Sequence, residues 1–111
     1  MAKIKFNSWG RWYEGFITVD EYRKPKNTYL QLWTIEEEFG YPEPYATMTV
    51  NLNQLEDGYA YLDTNNFPQV VKIFEEYNLG TYTGMSKMSG FCIYPLYKLN
   101  MEEIRKYGEE E

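Results

Sequence analysis

The sequence predicts a single α+β domain, in which an antiparallel sheet of five or six strands carries two helices packed on one face. Three observations lead to this class. Apolar and polar residues alternate with the period of half-buried strands in the first half of the chain. Two later segments repeat their apolar residues at helical spacing, and no internal repeat or low-complexity linker divides the 111 residues. We therefore expect one domain over residues 1–108, followed by an acidic tail, 109–111.

The first three strands are predicted before residue 36. Ile4 and Phe6 alternate with polar residues, and Trp12–Val19 continues with apolar side chains on both faces. The polar segment Tyr22–Asn27 contains a proline, which cannot donate to a strand ladder. We therefore expect a turn there and a return strand over Thr28–Ile35.

The clearest strand pattern follows an acidic segment. Residues Glu36–Pro44, EEEFGYPEP, have the glycine, proline and acid content of a surface loop. Over Tyr45–Leu52, apolar residues alternate with Thr and Asn, which predicts a strand with one face in solvent. A Glu-Asp-Gly turn then precedes a short strand at Tyr59–Asp63.

Two helices are predicted in the second half of the chain. Asn65-Asn66-Phe67-Pro68 opens the first, because Asn caps free backbone N–H groups and Pro is tolerated in the first turn. Its apolar residues recur at helical spacing up to Tyr77, and Asn78-Leu79-Gly80 predicts its end. Asn100 is expected to cap the second helix, which Gly108 ends.

A loop and an irregular strand are expected between these helices. Thr81–Gly90 has the Gly, Ser and Thr content of a flexible loop that connects elements or contacts a partner. It does not fit a phosphate-binding loop, because three residues instead of four separate its first two glycines, counted from Gly80, and Lys87 is followed by Met. Phe91–Leu99 is extended and mostly apolar, and Pro95 predicts an edge strand or a bulged one.

Few residues suit catalysis, and we expect no enzyme, no cofactor and no metal site. The chain contains no His, the commonest proton-transfer residue and metal ligand. Its single Cys, Cys92, lies in the apolar run FCIYPLY, which favours a small core residue over a reactive thiolate. The surroundings of Asp57 lack the ligand order of a calcium loop. Two of the seventeen acids could meet as a glycosidase pair, but turn-forming and solvated roles are favoured.

Charge is concentrated in the middle of the chain. The net charge is −6, and residues 35–66 contain seven acids and no base, whereas residues 1–34 carry +3. This balance disfavours direct nucleic-acid binding and favours a protein partner with a basic surface, although solvated loops would show the same pattern. The chain has no signal-like apolar segment and no apolar run of about twenty residues, so we expect a cytoplasmic protein without membrane contact.

Aromatic residues indicate where a partner binds. Twelve Tyr are more than a core of this size readily hides, and Tyr is enriched at interfaces. The alternative is that these residues border the core with their hydroxyls in water. The predicted partner-binding residues are the acids of the middle segment and the tyrosines near them or in the glycine-rich segment: Glu36, Glu37, Glu38, Tyr41, Glu43, Tyr45, Glu56, Asp57, Tyr59, Tyr61, Asp63 and Tyr82.

Four segments, PYATMTVNL, LDTNNFP, LGTYTG and SGFCIYPLYKLN, resemble in this order an uncharacterised small domain family carried by mobile elements and phages of Gram-positive bacteria. The resemblance covers about Tyr41–Tyr107, and its most specific parts are Asp63–Asn66 and Ser89–Pro95. It implies no enzymatic activity. It implies a binding protein that inhibits a host defence nuclease or effector through its acidic, Tyr-rich surface. The alternative is an accessory interaction module of a mobile element that has no inhibitory role. Such a module could also pair with its own copy as a homodimer.

Overall fold

The computed structural model describes residues 3–35 and 40–108. Within these ranges, eight strands form two four-stranded antiparallel sheets, sheet A in the order β1-β2-β3-β4 and sheet B in the order β5-β6-β8-β7. The elements are β1 (Ile4–Ser8), β2 (Arg11–Glu21), β3 (Thr28–Ile35), β4 (Pro42–Thr47), β5 (Thr49–Val50), β6 (Tyr59–Leu62), α1 (Val70–Tyr77), β7 (Gly80–Ser89), β8 (Cys92–Leu99) and α2 (Met101–Lys106). The α+β class is confirmed, but the strands divide between two sheets where one was expected. The expected tail, 109–111, lies outside the described residues.

The chain passes from one sheet to the other at Met48. Its backbone N–H donates to the Leu30 carbonyl of β3 at 2.8 Å, and its own carbonyl accepts from the Asp63 N–H after β6 at 2.9 Å. One fully buried residue therefore binds both sheets. The single strand expected over this segment is two strands, and Pro42 and Pro44, expected in a loop, begin β4 at the edge of sheet A, where proline is tolerated.

The sequence pattern predicts that Thr49, next to Met48, faces solvent, and this prediction is wrong because Thr49 is buried. The Thr49 hydroxyl accepts from the Leu30 N–H at 3.3 Å and donates to the Thr28 carbonyl at 3.2 Å, so its polar group is satisfied by β3. The Tyr22 hydroxyl donates to the Thr49 carbonyl at 3.0 Å. Burial raises the pKa of the Tyr22 phenol, and its hydrogen bond to Thr49 opposes that shift.

The core contains apolar side chains from both sheets and both helices. Phe74 of α1 contacts Tyr97 of β8 with ring centroids 5.5 Å apart, and the Tyr107 carbonyl after α2 accepts from the Ile17 N–H of β2 at 2.8 Å. The helices thus contact elements of both sheets. The buried core residues are Ile4, Phe6, Ile17, Leu30, Leu32, Met48, Ala60, Leu62, Phe67, Val70, Ile73, Phe74, Leu79, Tyr97, Leu99 and Ile104.

The helix ends agree with the sequence in part. The expected Asn cap of α1 is wrong, because α1 begins after Gln69 without a side-chain cap and Asn66 instead donates from its backbone N–H and its Nδ2 to the Asp63 carboxylate, at 3.1 and 3.0 Å. The end of α1 is confirmed, with Asn78 in the left-handed conformation. The cap of α2 is also confirmed, because the Asn100 side chain accepts from the Glu103 N–H.

The prediction of a loop over Thr81–Gly90 is wrong, because nine of these residues belong to strand β7. β7 pairs with β8 from Gly80 opposite Leu99 to Ser89 opposite Cys92, and a bulge interrupts this register between Tyr82 and Ser86. Pro95 predicts an edge strand or a bulged one, and Pro95 does lie in the part of β8 that, among the described strands, pairs with β7 alone, but the bulge itself is in β7.

Candidate functional site

The β7–β8 hairpin extends beyond sheet B as a two-stranded ribbon. β6 pairs only with residues 96–98 of β8, so the described strands give residues 92–95 of β8 a single neighbour, β7. Gly90 and Phe91 form the turn at the tip, with Gly90 at a φ of 62°. Residues 82–95 are referred to below as the hairpin arm.

The hairpin arm exposes large apolar side chains. Nine large hydrophobic side chains are exposed among the described residues, and five of them lie in these fourteen residues. A monomeric soluble domain scatters such residues singly, and their concentration in one place is typical of an interaction surface. The five are Tyr82 at 49% exposure, Met85 at 66%, Met88 at 68%, Phe91 at 108% and Ile93 at 59%.

One face of the hairpin arm is continuous with the core. Met88 faces Ile93 across the ribbon, and Tyr82 faces Tyr97, so the period of two places all four on one side. The rings of Tyr82 and Tyr97 lie 5.7 Å apart, and Tyr97 in turn packs edge-on against Phe74 of α1. Burial raises the pKa of Tyr97, with smaller contributions from the charges of Glu75 and Tyr82. α1 therefore covers the base of this face, while Met88 and Ile93 continue it into solvent.

The bulge in β7 is held by specific hydrogen bonds. The Thr83 hydroxyl donates to the Leu96 carbonyl at 2.9 Å and accepts from the Met85 N–H at 3.1 Å. Gly84 adopts a φ of 87°, in the left-handed region that favours glycine. The bulge places extra residues in β7, so the apolar residues of this segment do not recur with a period of two. This is why the sequence pattern indicates a loop.

A second exposed surface collects acids from two distant stretches of the chain. Asp20 and Glu21 end β2, while Glu56 and Asp57 form the turn before β6, and all four line one open cavity of about 310 Å³. We refer to these four residues as the acidic end. Tyr59, Lys26 and Arg105 line the same cavity, which leaves a local balance of four acids to two bases. The sequence pattern indicates Glu56, Asp57 and Tyr59 but not Asp20 and Glu21, because these two acids lie within the net-positive N-terminal third.

The other acidic and tyrosine positions do not all join this surface. Tyr41 and Glu43 are exposed on or next to β4. Glu43 pairs with Thr34, six residues along β3 from Thr28, which lines the acidic end. At about 3.3 Å per strand residue the two positions are separated by roughly 20 Å. The predicted residues Glu36, Glu37 and Glu38 lie outside the described residues.

Three predicted binding residues are turned toward the protein interior. Tyr61 and Asp63 are each 7% exposed, and the Tyr61 hydroxyl donates to Asn53 Oδ1 at 3.0 Å. Their expected place on an exposed surface is wrong, because β6 lies inside sheet B and Asp63 closes the turn that precedes α1. Tyr45 is half-buried, with its ring 5.2 Å from that of Phe6, so it borders the core as the alternative interpretation stated.

Neither surface has the donor set of a metal centre. Over residues 3–35 and 40–108, no group of three or more Cys, Asp or Glu side chains is placed to hold a metal ion. Cys92 is half-buried on β8. In the same part of the chain, neither helix combines the length and apolar character needed to cross a bilayer. The contacts that these two surfaces offer are electrostatic at the acidic end and apolar on the hairpin arm.

A family model with the description "domain of unknown function (DUF4313)" matches residues 16–111, which is most of the chain. The match confirms the resemblance to an uncharacterised small domain family and extends it toward the N-terminus. No curated protein and no solved structure matches the chain.

Proposed function

The chain belongs to the DUF4313 family, and we propose that it is a non-enzymatic acidic protein that binds a partner with a basic protein surface. The observation that carries this proposal is the acidic end, where exposed carboxylates from β2 and from the turn before β6 line one cavity. Carboxylates clustered in this way attract Lys and Arg at long range and form charge-assisted hydrogen bonds with them on contact.

The carboxylates of the acidic end are available to a partner. All four residues are exposed, and none of them forms an ion pair with another residue of the described ranges. Tyr59 is half-buried beside them and adds an aromatic contact of the kind that interfaces favour. The net charge of −6 repels phosphates, so we propose a protein partner and no direct contact with nucleic acid.

We further propose that the partner is a nuclease or similar effector of bacterial host defence, and that this chain inhibits it on behalf of a mobile element or phage. The family resemblance supports the setting. Enzymes that hold nucleic acids present Lys and Arg to the phosphate backbone, and clustered carboxylates compete for those groups. Glu36, Glu37 and Glu38 enter this proposal from the sequence alone, as further acids that a basic partner would attract.

Capture of the partner from a bacterial lysate on the immobilised chain tests this function. The wild-type chain should retain a basic protein that elutes as salt is raised, because exposed ion pairs are screened by salt. Charge reversal at Glu56→Lys and Asp57→Lys should abolish retention, and the captured protein should lose nucleic-acid cleavage when the wild-type chain is added.

A matched control reverses two adjacent exposed acids elsewhere. Glu75→Lys and Glu76→Lys on α1 make the same change in net charge away from the acidic end, and they should retain the partner. Equal loss in both double variants would show that net charge alone governs binding. Retention by the Glu56→Lys, Asp57→Lys variant, or elution that does not depend on salt, would reject the acidic end as the binding surface. Undiminished cleavage by the captured protein would reject inhibition while leaving the binding proposal in place.

A further inference from the structure

The apolar face of the hairpin arm is a core face without a cover. Where α1 packs on it, at Tyr97 and Leu99, the face is buried to less than a tenth exposure. Farther out on the same side, four residues from Tyr97 along β8, Ile93 lies opposite Met88. Met88 is 68% exposed and Ile93 is 59% exposed. The hydrogen bonds of the bulge hold this ribbon in a defined shape, so the apolar face is presented before any partner arrives.

Among the described strands, the edge strands other than β7 are protected from pairing with another molecule. The Tyr77 hydroxyl covers β1, because it accepts from the Lys5 N–H at 2.7 Å and donates to the Lys5 carbonyl at 2.9 Å. β4 carries Pro42 and Pro44, and β5 is only two residues long. These are the usual means by which edge strands avoid association. β7 has its bulge and Lys87, yet it is ten residues long and joins the exposed apolar face.

Charge favours a second copy of this chain at the hairpin arm. Residues 77–101 contain no acid, and their only charged side chains are Lys87 and Lys98. Lys87 alternates with Met88 along β7 and therefore lies on the opposite face. Two molecules with a net charge of −6 repel each other least where both surfaces lack acids.

The exposed area is also that of a small specific interface between two copies. Tyr82, Met88, Phe91 and Ile93, without Met85 of the bulge, offer on the order of 500 Å² in each copy at this degree of exposure. Two arms in contact then bury about 1,000 Å², the smallest area expected of a specific interface. Methionine side chains adapt to an opposing surface, which eases the fit of a face onto its own copy.

From these observations we infer that the chain forms a homodimer in which two hairpin arms stack their apolar faces about a two-fold axis midway between Ser86 and Met88. Antiparallel stacking brings Phe91 at the tip of each arm onto Tyr82 of the second copy. It places Met88 and Ile93 of each arm over the small Ser86 of the other. A two-fold interface needs such a self-complementary order, with aromatic ends and an aliphatic centre.

The dimer is tested by sedimentation equilibrium of the full chain over a concentration series. We expect a monomer–dimer equilibrium that Met88→Glu weakens by about 100-fold or more, because the charge is placed twice in one apolar contact. Ser89→Glu is the matched control: it adds the same charge on the adjacent exposed residue but on the opposite face, and the dimer should persist. Circular dichroism checks that both variants keep the wild-type fold.

Three results would overturn the dimer. A wild-type chain that stays monomeric throughout the series would assign the arm to another occupant, such as an apolar groove of a different protein. Equal weakening by Met88→Glu and Ser89→Glu would indicate edge pairing or general repulsion instead of stacking. In a dimer of labelled and unlabelled copies, nuclear Overhauser contacts between the Phe91 and Tyr82 rings should appear, and their absence would reject the two-fold arrangement.

The dimer does not depend on the proposed function. The acidic end and the hairpin arm share no residues, and salt affects them in opposite directions. Loss of partner capture in the Glu56→Lys, Asp57→Lys variant, with the dimer intact, would concern the acidic end alone. Loss of the dimer in Met88→Glu, with capture intact, would concern the arm alone.

Discussion

The acidic end and the hairpin arm differ in how the fold builds them and in the forces they offer. The acidic end joins residues that are 35 or more positions apart in sequence around one cavity, and its groups are charged and exposed. The hairpin arm is one contiguous segment without an acid, and it exposes five large apolar side chains. Charged surfaces act at long range and are screened by salt, whereas apolar surfaces act on contact and are not. The two surfaces are therefore separable by experiment, although one chain of 111 residues carries both.

Removing apolar side chains without adding charge should have the largest effect. The double variant Phe91→Ser, Ile93→Ser deletes two of the five exposed side chains of the arm in each copy. The dimer then loses four side chains. At about 1 kcal/mol each, less than the roughly 1.5–3 kcal/mol of full burial because the contact covers only part of each side chain, the dimer dissociation constant should rise by about 1,000-fold. Sedimentation equilibrium measures this change, and an unchanged capture of the basic partner by the same variant would keep the two surfaces distinct.

Charge reversal at the acidic end should have the next largest effect. Glu56→Lys with Asp57→Lys should weaken partner binding by about 100-fold or more, enough to abolish retention, because two attractive contacts become repulsive. The dimer should be unchanged or slightly tighter, since the change reduces the net charge of −6. A titration of the captured partner by calorimetry measures the first effect. Dissociation of the dimer in this variant would contradict the separation of the surfaces.

A pair of glycines offers a smaller and more selective comparison. Gly84 in the hairpin arm and Gly58 beside the acidic end both have a φ of 87°, and a Cβ on either would lie in open space. Ala at either position should therefore lower the free energy of unfolding by about 1–2 kcal/mol through backbone strain alone. Denaturant unfolding measures this loss. Gly84→Ala should weaken only the dimer and Gly58→Ala only partner binding, and the reverse assignment would contradict the account.

The smallest effect is expected at Tyr97, where the arm joins the body. Burial raises its pKa above the ordinary value of 10.0, and Glu75 and Tyr82 add to the shift. Because the unfolded chain ionises first, stability is complete below pH 10 and decreases as the pH rises toward the folded pKa. The stability of Tyr97→Phe, measured by thermal unfolding, should decrease less than that of wild type over this pH range. Tyr22 also has a raised pKa and accounts for part of the decrease that remains in the variant. Identical pH profiles would show that Tyr97 is not buried as described.

Local patterns predicted much of the fold. The alternation of Ile4 and Phe6, the return strand Thr28–Ile35 and the Asn100 cap are all found where expected, because each depends on neighbouring residues. The division into two sheets depends on Met48, whose backbone binds both sheets, and nothing in its neighbours shows this. Burial of Asp63 likewise follows from a turn that its own carboxylate closes.

The candidate surfaces were predicted unequally for the same reason. Charge is visible in a sequence, so Glu56 and Asp57 were identified, but Asp20 and Glu21 join them only through the long-range packing of β2 against the turn before β6. Partner contact was predicted for Thr81–Gly90, with Tyr82 among the binding residues, but the strand structure of the hairpin arm was missed because its bulge at Gly84 removes the period of two on which strand prediction rests. Phe91 is exposed because Gly90-Phe91 forms the turn between β7 and β8, so its exposure can be predicted only once the pairing of these two strands is known.

The salt dependence of the wild-type dimer is the sharpest test of an apolar interface at the hairpin arm. Stacked apolar faces predict that the dissociation constant measured by sedimentation equilibrium stays constant or falls as NaCl is raised from about 0.05 to 0.5 M, because salt screens the repulsion between two acidic molecules and leaves the apolar contact intact. A dimer that dissociates as salt rises, or a chain that remains monomeric at every salt concentration, would contradict it.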